Sequence, residues 1–209
     1  MKEPIIIYGA GGLGKEVLTL IRAMDVFEPV GFIDDGFKKG TELKGLKVLG
    51  GVDTLNVMTT TVNLVLAVGD PSTKAMLIKK MIDPSRVYFP TLIHPSAIIQ
   101  DESAVTIGPG SIICAGCILT TDIVLGSHVL LNLNTTVGHD VTIGDYTSIM
   151  TGVNIAGKVE IGDGVMIGSG ANVINNVNVG NFAKVGMGAV VIKNVEPQST
   201  VVGVPARKV

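Results

Sequence analysis

His139 and Asp140 form the pair of residues in this sequence best suited to proton transfer. A neutral imidazole accepts a proton near pH 7, and an adjacent carboxylate orients the ring and favours the imidazolium. A His-Asp dipeptide is common in proteins. Whether this pair acts as a general base therefore depends on the elements that position it.

The pair lies within a stretch that has a six-residue period. The residue two places before each repeated aliphatic is small or β-branched, so both positions are expected to face inward. This period fits neither an α-helix nor an ordinary strand, and it is typical of a solenoid. The fifteen aliphatic positions are Ile107, Ile113, Leu119, Leu125, Leu131, Val137, Ile143, Ile149, Ile155, Ile161, Ile167, Val173, Val179, Val185 and Val191.

A second period of eighteen residues is nested in the first, because Gly108, Gly126, Gly144, Gly162 and Gly180 each follow an aliphatic residue. Three hexads therefore make one coil of a parallel β-helix with a triangular cross-section. Successive coils are expected to stack about 4.7 to 4.9 Å apart. Glycine at the same point of each coil predicts a corner where the backbone takes φ values that a Cβ disfavours.

The eighteen-residue register places Gly157 on the next coil above His139. No side chain intrudes there, so an acyl thioester can approach the base and its developing oxyanion can meet a backbone N–H. The register therefore predicts an acyl-transfer site, with His139 as general base, Asp140 as its partner and Gly157 at the thioester.

The N-terminal part of the chain predicts an α/β fold with a phosphate-binding turn. A strand over residues 4–8 leads into a glycine-rich turn and then a helix that ends near Met24. In this context a G-x-G-x-x-G motif directs backbone N–H groups at a phosphate. The alternative is that the glycines only allow close helix packing. The turn contains Gly9, Gly11, Gly12 and Gly14.

Asp34 and Asp35 end a second predicted strand, over residues 30–33, where carboxylates accept hydrogen bonds from ribose hydroxyls. Further strands are predicted over residues 62–68 and 86–89, with a helix over 73–81 between them. This alternation predicts a parallel sheet, and it stops near Leu92 after half of a dinucleotide fold. We expect a Rossmann-like nucleotide- or nucleotide-sugar-binding domain over residues 1–92 and a β-helix domain with a C-terminal tail over 93–209.

The hexads over residues 143–148 and 161–166, IGDYTS and IGDGVM, resemble the hexapeptide repeat of left-handed β-helix acyltransferases. With the N-terminal α/β unit, the Gly138-His139-Asp140 segment and the terminal GVPAR over residues 203–207, essentially the whole chain resembles the NeuD/PglD-type sugar acetyltransferases. The resemblance implies left-handed coiling, acetyl-CoA as co-substrate without a metal, and His139 as base with Asp140 as its partner. Some members have Glu at the position of Asp140, and a second histidine associated with CoA in the bacillosamine-type enzyme falls at Ser148 here.

Charge placement predicts where CoA binds. No Lys or Arg occurs from Val87 to Gly157, and all five basic residues of the predicted β-helix follow. These cations are expected to attract the phosphates of CoA, although they can also serve only to solvate the surface. The expected CoA-binding residues are Lys158, Lys184, Lys193, Pro205 and Arg207.

An apolar row predicts an oligomer interface. The residue before each aliphatic points outward, yet it is apolar in the early coils, and Ile112, Leu130 and Met166 fall on one side by the eighteen-residue period. Exposed apolar rows usually mark interfaces, so a flat face packing around a three-fold axis is expected, as in the trimers that the resemblance implies. The other apolar residues of this kind are Ile118 and Val124.

In such a homotrimer His139 lies in a groove between protomers, with Asn132 or Asn134 positioning the acceptor. His128 falls at a coil corner, which favours a surface or interface role.

Cys114 and Cys117 form a C-x-x-C, but Cys117 occupies an inward slot and no second pair exists. The two cysteines are therefore expected to act as small apolar residues rather than as a metal or redox site.

Composition excludes several classes of protein. The 209 residues are 46% hydrophobic, enough for two small domains, and no apolar run reaches the length of a membrane-spanning helix. A net charge of −2 argues against a nucleic-acid partner, which usually needs a basic patch. We expect a cytoplasmic protein without membrane insertion.

Three functions compete. The favoured one is transfer of an acetyl group from acetyl-CoA to the amino group of a UDP-, dTDP- or GDP-linked 4-amino-deoxysugar, with O-acetylation of sialic acid or another sugar hydroxyl as the close alternative. The second is a nucleotide-sensing trimeric binding protein, and the third is an NAD-linked oxidoreductase, suggested by Asp34 and disfavoured by the short sheet. An amine acceptor must lose a proton before it attacks, so activity is expected to rise with pH as the base is deprotonated.

Overall fold

The computed structural model describes residues 2–58, 60–80 and 86–209, and its N-terminal part is an α/β unit. Met81, at the end of the predicted second long helix, lies outside the described residues. The elements of this unit are β1 (Glu3–Tyr8), α1 (Gly12–Met24), β2 (Phe27–Ile33), β3 (Glu42–Leu43), β4 (Leu46–Gly50), α2 (Asp53–Asn56), β5 (Val62–Leu66), α3 (Pro71–Lys80) and β6 (Val87–Tyr88).

The six strands form one sheet in the order β3-β4-β2-β1-β5-β6, parallel except for β3. The predicted strands and the two long helices are therefore confirmed, whereas the β3–β4 hairpin and α2 were not predicted. β1 lies between β2 and β5, so the strand order reverses at its carboxyl end. In open α/β sheets ligands bind at such a reversal.

The C-terminal part is a left-handed parallel β-helix with three sides. The first side contains β7 (Leu92–Ile93), β10 (Ile112–Ile113), β13 (Leu130–Leu131), β16 (Ser148–Ile149), β19 (Met166–Ile167), β22 (Lys184–Val185), β24 (Thr200–Val202) and β25 (Arg207–Lys208). The second contains β8 (Ile98–Ile99), β11 (Ile118–Leu119), β14 (Thr136–Val137), β17 (Asn154–Ile155), β20 (Asn172–Val173) and β23 (Val190–Val191). The third contains β9 (Val105–Ile107), β12 (Ile123–Leu125), β15 (Thr142–Ile143), β18 (Glu160–Ile161) and β21 (Asn178–Val179).

The predicted register is confirmed. Strands pair in parallel with partners eighteen residues apart, such as Val137 with Ile155. Two coils depart from this spacing. The first is longer, since Leu92 pairs with Ile112, and the last is shorter, since Lys184 pairs with Thr200. From Ile113 onwards every repeated aliphatic is buried, as predicted, and Ile107 in the first coil is half-buried. The division at residues 92 and 93 stays a prediction; β7, which begins at Leu92, pairs with the first side.

The conformation predicted for the periodic glycines is wrong. Gly126 and Gly144 do not adopt positive φ; the left-handed residues lie two places further on, at His128 and Tyr146. Glycine is needed instead because the next coil lies too close for a side chain. A Cβ on Gly144 would stand 2.6 Å from the backbone nitrogen of Asp163, and the equivalent atom on Gly126 would meet Asp145 in the same way.

The α/β unit packs on the outer face of the first side. Ile112 and Leu130 are each only 2% exposed and belong to the same core cluster as Val17 and Ile21 of α1. The expectation that Ile112 and Leu130 form a trimer face is therefore wrong, because the chain's own N-terminal helices cover them. Val124, on the third side, is exposed.

Cys114 and Cys117 are buried, as expected for small apolar residues. Burial raises the pKa of the Cys114 thiol to about 12 and that of Cys117 to about 11, so neither is a ready nucleophile. The Cys117 Sγ contacts the carbonyl oxygen of Asn132 at 3.2 Å. In the described part of the chain there is no cluster of side chains that could hold a metal ion and no helix long and apolar enough to cross a membrane.

Candidate functional site

The edge between the second and third sides carries His139 and Asp140. Asp140 adopts a left-handed conformation (φ 58°), which turns its carboxylate back towards the preceding residue. Its Oδ2 lies 2.6 Å from Nδ1 of His139, and the two side chains are 50% and 58% exposed. With Nδ1 held by a carboxylate, Nε2 is the nitrogen left to exchange a proton with a ligand.

Gly157 lies one coil above this imidazole. A Cβ at Gly157 would stand 2.5 Å from Nε2 of His139, so any side chain there would collide with the ring. The missing side chain at Gly157 therefore makes room for the imidazole itself, and the role of Gly157 at the thioester stays a prediction.

Backbone N–H groups at this edge are free to bind a ligand. Within the described residues, neither His139 nor Gly157 donates its N–H to the rest of the chain. At the edge between the third and first sides the equivalent groups are capped: the N–H of Ser127 donates to Oδ1 of Asp145 at 2.7 Å, and that of Asp145 donates to Asp163 at 2.8 Å. Gly157 supplies no such cap. Two donors beside a base suit the stabilisation of an oxyanion.

The same edge continues upward from His139 towards the C-terminus. Lys158 is exposed beside Gly157, Asn175 and the apolar Ile174 lie on the next coil, and Lys193 follows β23 in the shortened last turn. Three coils separate Lys193 from His139, a rise of about 14 Å at the usual strand spacing. The edge therefore offers a linear path from the base to cations.

That path ends at a cavity of about 260 Å³ near the C-terminus, lined among others by Lys193, Arg207 and Lys208. Pro205 follows a cis peptide bond in the turn between β24 and β25. Lys184 lies on the outer face of the first side, near Asp70 of the α/β unit, and is not on the His139 edge of the same chain. Its predicted role in CoA binding stays a prediction.

In the glycine turn, different glycines have different roles. Gly9 has φ 108° and lies against the carbonyl oxygen of Ala67, and a Cβ on Gly14 would collide with the carbonyl oxygen of Gly9. These two glycines are needed for packing. A Cβ on Gly11 or Gly12 would meet nothing within 4 Å. Gly11 and Gly12 therefore leave the amino end of α1 open to a ligand.

Asp34 and Asp35 lie beside this turn, but both already have partners in the chain. Asp34 accepts hydrogen bonds from the N–H groups of Ala10 (2.7 Å) and Gly36 (2.8 Å), so it holds the glycine turn in place. Asp35 accepts from the Tyr8 hydroxyl and from the Val52 N–H. The Tyr8 hydrogen bond holds the pKa of Asp35 below its usual range.

A cleft of about 480 Å³ opens at the carboxyl ends of β1, β2 and β5, and sequence reasoning missed several of its residues. Besides Gly9, Asp34 and Asp35 it is lined by Tyr8, Thr73 and Lys80, among others. Tyr8 was assigned only to a strand, and Thr73 and Lys80 only to a helix. The sequence could have indicated Thr73 and Lys80 by their position alone, since α3 follows β5 at the point where the strand order reverses.

The two candidate sites lie on opposite sides of the β-helix. The α/β unit covers the first side, whereas His139 lies at the edge where the second and third sides meet. In a triangular cross-section that edge is opposite the first side. One chain alone therefore does not bring its own nucleotide cleft to its own imidazole.

Other predicted residues lie away from the His139 edge. Asn132 and Asn134 are at the edge between the first and second sides; Asn132 accepts the Leu133 N–H. Ser148 is fully buried on the first side. Of the surface or interface role expected for His128, the surface position is wrong: the residue is 7% exposed and stacked on Tyr146, with ring centroids 5.5 Å apart.

Family models match two parts of the chain. The PglD N-terminal domain matches residues 4–81, and the bacterial transferase hexapeptide (six repeats) matches residues 140–175. No curated protein sequence matches the chain.

Solved structures match over the whole chain. WeeI from Acinetobacter baumannii AYE is 34% identical over 100% of both chains, with a TM-score of 0.89. The acetyltransferase domain of PglB from Neisseria gonorrhoeae FA1090 is 28% identical over 100% of both chains, with a TM-score of 0.92, and has also been solved with acetyl coenzyme A. PerB from Caulobacter crescentus, in complex with CoA and GDP-perosamine, is 27% identical over 99% of this chain and 97% of its own, with a TM-score of 0.88.

Proposed function

Because this chain belongs to the NeuD/PglD-type sugar acetyltransferase family of left-handed β-helix proteins, we propose that it transfers the acetyl group of acetyl-CoA to the amino group of a nucleotide-linked amino sugar. The observation that carries this proposal is the position of His139, with Nδ1 held by Asp140 and Nε2 facing the bare backbone of Gly157. A half-exposed base beside a bare backbone suits an acceptor and a thioester that meet there.

The chemical step follows from this arrangement. The neutral sugar amine attacks the thioester carbonyl carbon, and Nε2 of His139 takes the proton that the nitrogen loses. The tetrahedral oxyanion is stabilised by the N–H groups of His139 or Gly157. The C–S bond then breaks, the CoA sulfur leaves with its electron pair, and the proton on the imidazole neutralises it. The products are an N-acetyl sugar and CoA.

Acetyl-CoA is expected to bind along the His139 edge. Its thioester lies at Gly157, its extended arm follows the edge past Asn175, and its phosphates meet Lys193 and Arg207 at the C-terminal cavity. Lys158 beside Gly157 completes a row of exposed cations that attracts the anionic donor.

The nucleotide is expected to bind in the cleft at the carboxyl ends of β1, β2 and β5. The amino end of α1 at Gly11 and Gly12 offers N–H groups to the diphosphate, and Lys80 adds a positive charge. Asp34 acts mainly by holding the turn, and Asp35 presents its carboxylate together with the Tyr8 hydroxyl. The nearby sheet is half of a dinucleotide fold, which favours a mononucleotide ligand over NAD.

The acceptor's route to His139 requires a second chain, because the cleft and the imidazole lie on opposite sides of one β-helix. We therefore propose a homotrimer in which the α/β unit of one protomer faces the His139 edge of the next. The exposed apolar residues on the uncovered sides, Ile98 of the second side and Val124 of the third, are candidates for contacts between protomers.

The test is acetyl-CoA consumption with a panel of UDP-, dTDP- and GDP-linked 4-amino-4,6-dideoxy sugars. Turnover with one of them, a mass increase of one acetyl group and resistance of the product to hydroxylamine are expected for an amide. A hydroxylamine-sensitive product would show an ester and favour O-acetylation. His139→Asn should reduce kcat by about a thousandfold, the usual contribution of a general base, and should still bind the nucleotide. Nucleotide binding without any turnover in the wild type would overturn the proposal in favour of a sensing protein.

A further inference from the structure

Lys74 is a buried lysine that joins the nucleotide-binding unit to the β-helix. It lies in the middle of α3 and is 2% exposed. Its Nζ donates hydrogen bonds to the carbonyl oxygens of His128 at 2.7 Å and Thr147 at 3.4 Å. These carbonyls belong to successive coils of the β-helix, so one ammonium group spans two coils.

No carboxylate pairs with Lys74 in the described part of the chain. Asp70, at the start of α3, favours the charged form only through space, and burial lowers the pKa of Lys74 to about 7. On the β-helix side the group faces the His128 ring, which burial and Lys74 keep uncharged. A buried ammonium held only by carbonyl oxygens contributes less to stability than an apolar residue of the same size often would. Lys74 therefore contributes to the geometry of this contact more than to bulk stability.

The opposite face of α3 forms a wall of the nucleotide cleft. Thr73, Met76 and Lys80 of this helix line the cleft, while Lys74 points into the β-helix. Asp70 caps the helix through the Thr73 N–H at 2.7 Å. The position of this wall is therefore set by where Lys74 holds the helix.

From this arrangement we propose that Lys74 is a positioning residue for the nucleotide sugar: it fixes α3 on the edge between the third and first sides and so couples the nucleotide cleft to the β-helix. The inference rests on the proposed function, since it assumes that the cleft holds the nucleotide. It is distinct from the chemistry at His139, which lies across the β-helix from Lys74.

The first experiment compares Lys74→Met with Lys79→Met. Methionine keeps the length of the side chain without donors, and Lys79 is an exposed residue of the same helix that does not line the nucleotide cleft. Lys74→Met is expected to raise the KM for the nucleotide sugar about tenfold or more while changing the KM for acetyl-CoA less than twofold. Lys79→Met is expected to match the wild type in both constants.

The outcomes separate the two proposals. Acetyl transfer by the wild type, measured first, tests the proposed function by itself. If Lys74→Met lowers the unfolding temperature but leaves the KM for the nucleotide sugar unchanged, Lys74 is only structural and the inference is wrong. A rise in both KM values would likewise overturn it, because the coupling would not be specific to the cleft.

A second measurement uses the unaltered protein and so does not depend on whether the variant folds. Hydrogen exchange is followed with and without whichever of UDP, dTDP and GDP binds most tightly by calorimetry. Occupancy of the cleft is expected to slow exchange at the β-helix amides near residues 128–130 and 146–148, which flank the carbonyls that Lys74 contacts. Protection confined to the α/β unit would contradict the coupling.

Discussion

Nε2 of His139 lies 2.5 Å from the point at which a Cβ on Gly157 would stand. The imidazole therefore occupies the space that a side chain on the next coil would fill, and the coil spacing of a β-helix leaves little room for the ring to move aside. Since Gly157 does not adopt positive φ, its backbone would accept other residues. The requirement for glycine comes from the ring and not from the main chain.

Gly157→Ala is expected to lower kcat by about a hundredfold, because displacing a reacting group by about 1 Å has an effect of that size. The methyl group would displace the His139 ring from its present position against Gly157 and beside Asp140. Steady-state kinetics would measure the change, with little effect on the KM for the nucleotide sugar.

The matched control is Gly152→Ala, at a coil corner with φ 68° where a Cβ meets nothing within 4 Å. The left-handed conformation makes this substitution destabilising by about 1 to 2 kcal/mol, yet activity should be retained. Equal activity in Gly157→Ala and the wild type would show that the close packing of the imidazole against Gly157 does not matter for turnover.

Asp140→Asn is expected to reduce kcat by about tenfold to a hundredfold with little change in stability, because the variant loses the charge that favours the imidazolium. Asparagine tolerates the left-handed conformation of Asp140, so the corner itself should persist. Kinetics and thermal unfolding of the same preparation check both parts. A large loss of stability with normal kcat in the folded fraction would argue that Asp140 serves only the turn.

Gly12→Ala separates ligand binding from packing in the glycine turn. A Cβ there meets no other atom within 4 Å, so the variant should be about as stable as the wild type. It should nevertheless raise the KM for the nucleotide sugar about tenfold, because the methyl group blocks approach of the diphosphate to the amino end of α1.

Gly14→Ala gives the opposite result and serves as the comparison. Its Cβ would collide with the carbonyl oxygen of Gly9, so the variant should lose about 3 kcal/mol or more of stability. An unchanged nucleotide KM in Gly12→Ala would mean that the diphosphate does not approach the amino end of α1 at Gly12.

Lys193→Ala and Arg207→Ala are each expected to raise the KM for acetyl-CoA about threefold to tenfold, the effect of losing one charge-assisted contact to a phosphate. The increase should shrink at high salt, because exposed charges are screened. Lys38→Ala, an exposed lysine of the α/β unit, is the control. If neither variant at the C-terminal cavity changed this constant, the phosphates of CoA would lie elsewhere.

The internal geometry of the β-helix could be predicted because its sequence repeats. A period of eighteen residues fixes which residues stack, so Gly157 could be placed over His139 from numbering alone. The hydrogen bonds between corner N–H groups and aspartates of the next coil could not be predicted in this way. Gly144 was assigned positive φ, whereas the close approach of Asp163 on the next coil is what excludes a side chain.

Contacts between the two parts of the chain could not be predicted, because no local pattern encodes them. The sequence predicted that Ile112 and Leu130 form an exposed interface, because the packing of α1 on the first side leaves no local pattern. In the sequence Lys74 looks like an ordinary polar residue of a helix. Its burial depends on the packing of the α/β unit against the β-helix. Asp34 was predicted to face a ribose, but its hydrogen bonds to Ala10 and Gly36 depend on a loop geometry that the motif does not specify.

His128 predicts how stability depends on pH. It is buried between Phe89 and Tyr146, and burial lowers its pKa from 6.5 to about 4, with Lys74 adding to the decrease and Asp145 opposing it. Because the unfolded chain binds the proton first as the pH falls, the contribution of His128 to stability is complete above about pH 6.5 and is lost progressively down to about pH 4. The loss amounts to at most about 3 kcal/mol.

Carboxylates also titrate in the lower part of this range, so the contribution of His128 is obtained by difference. His128→Asn retains a residue that tolerates the left-handed conformation but removes the ionisable ring. The variant should be less stable than the wild type at pH 7, and its free energy of unfolding should fall less steeply between pH 6.5 and 4. Urea unfolding at several pH values measures both slopes. Parallel curves would show that the folded protein takes up a proton at His128 as readily as the unfolded chain, which its burial against Phe89 and Tyr146 argues against.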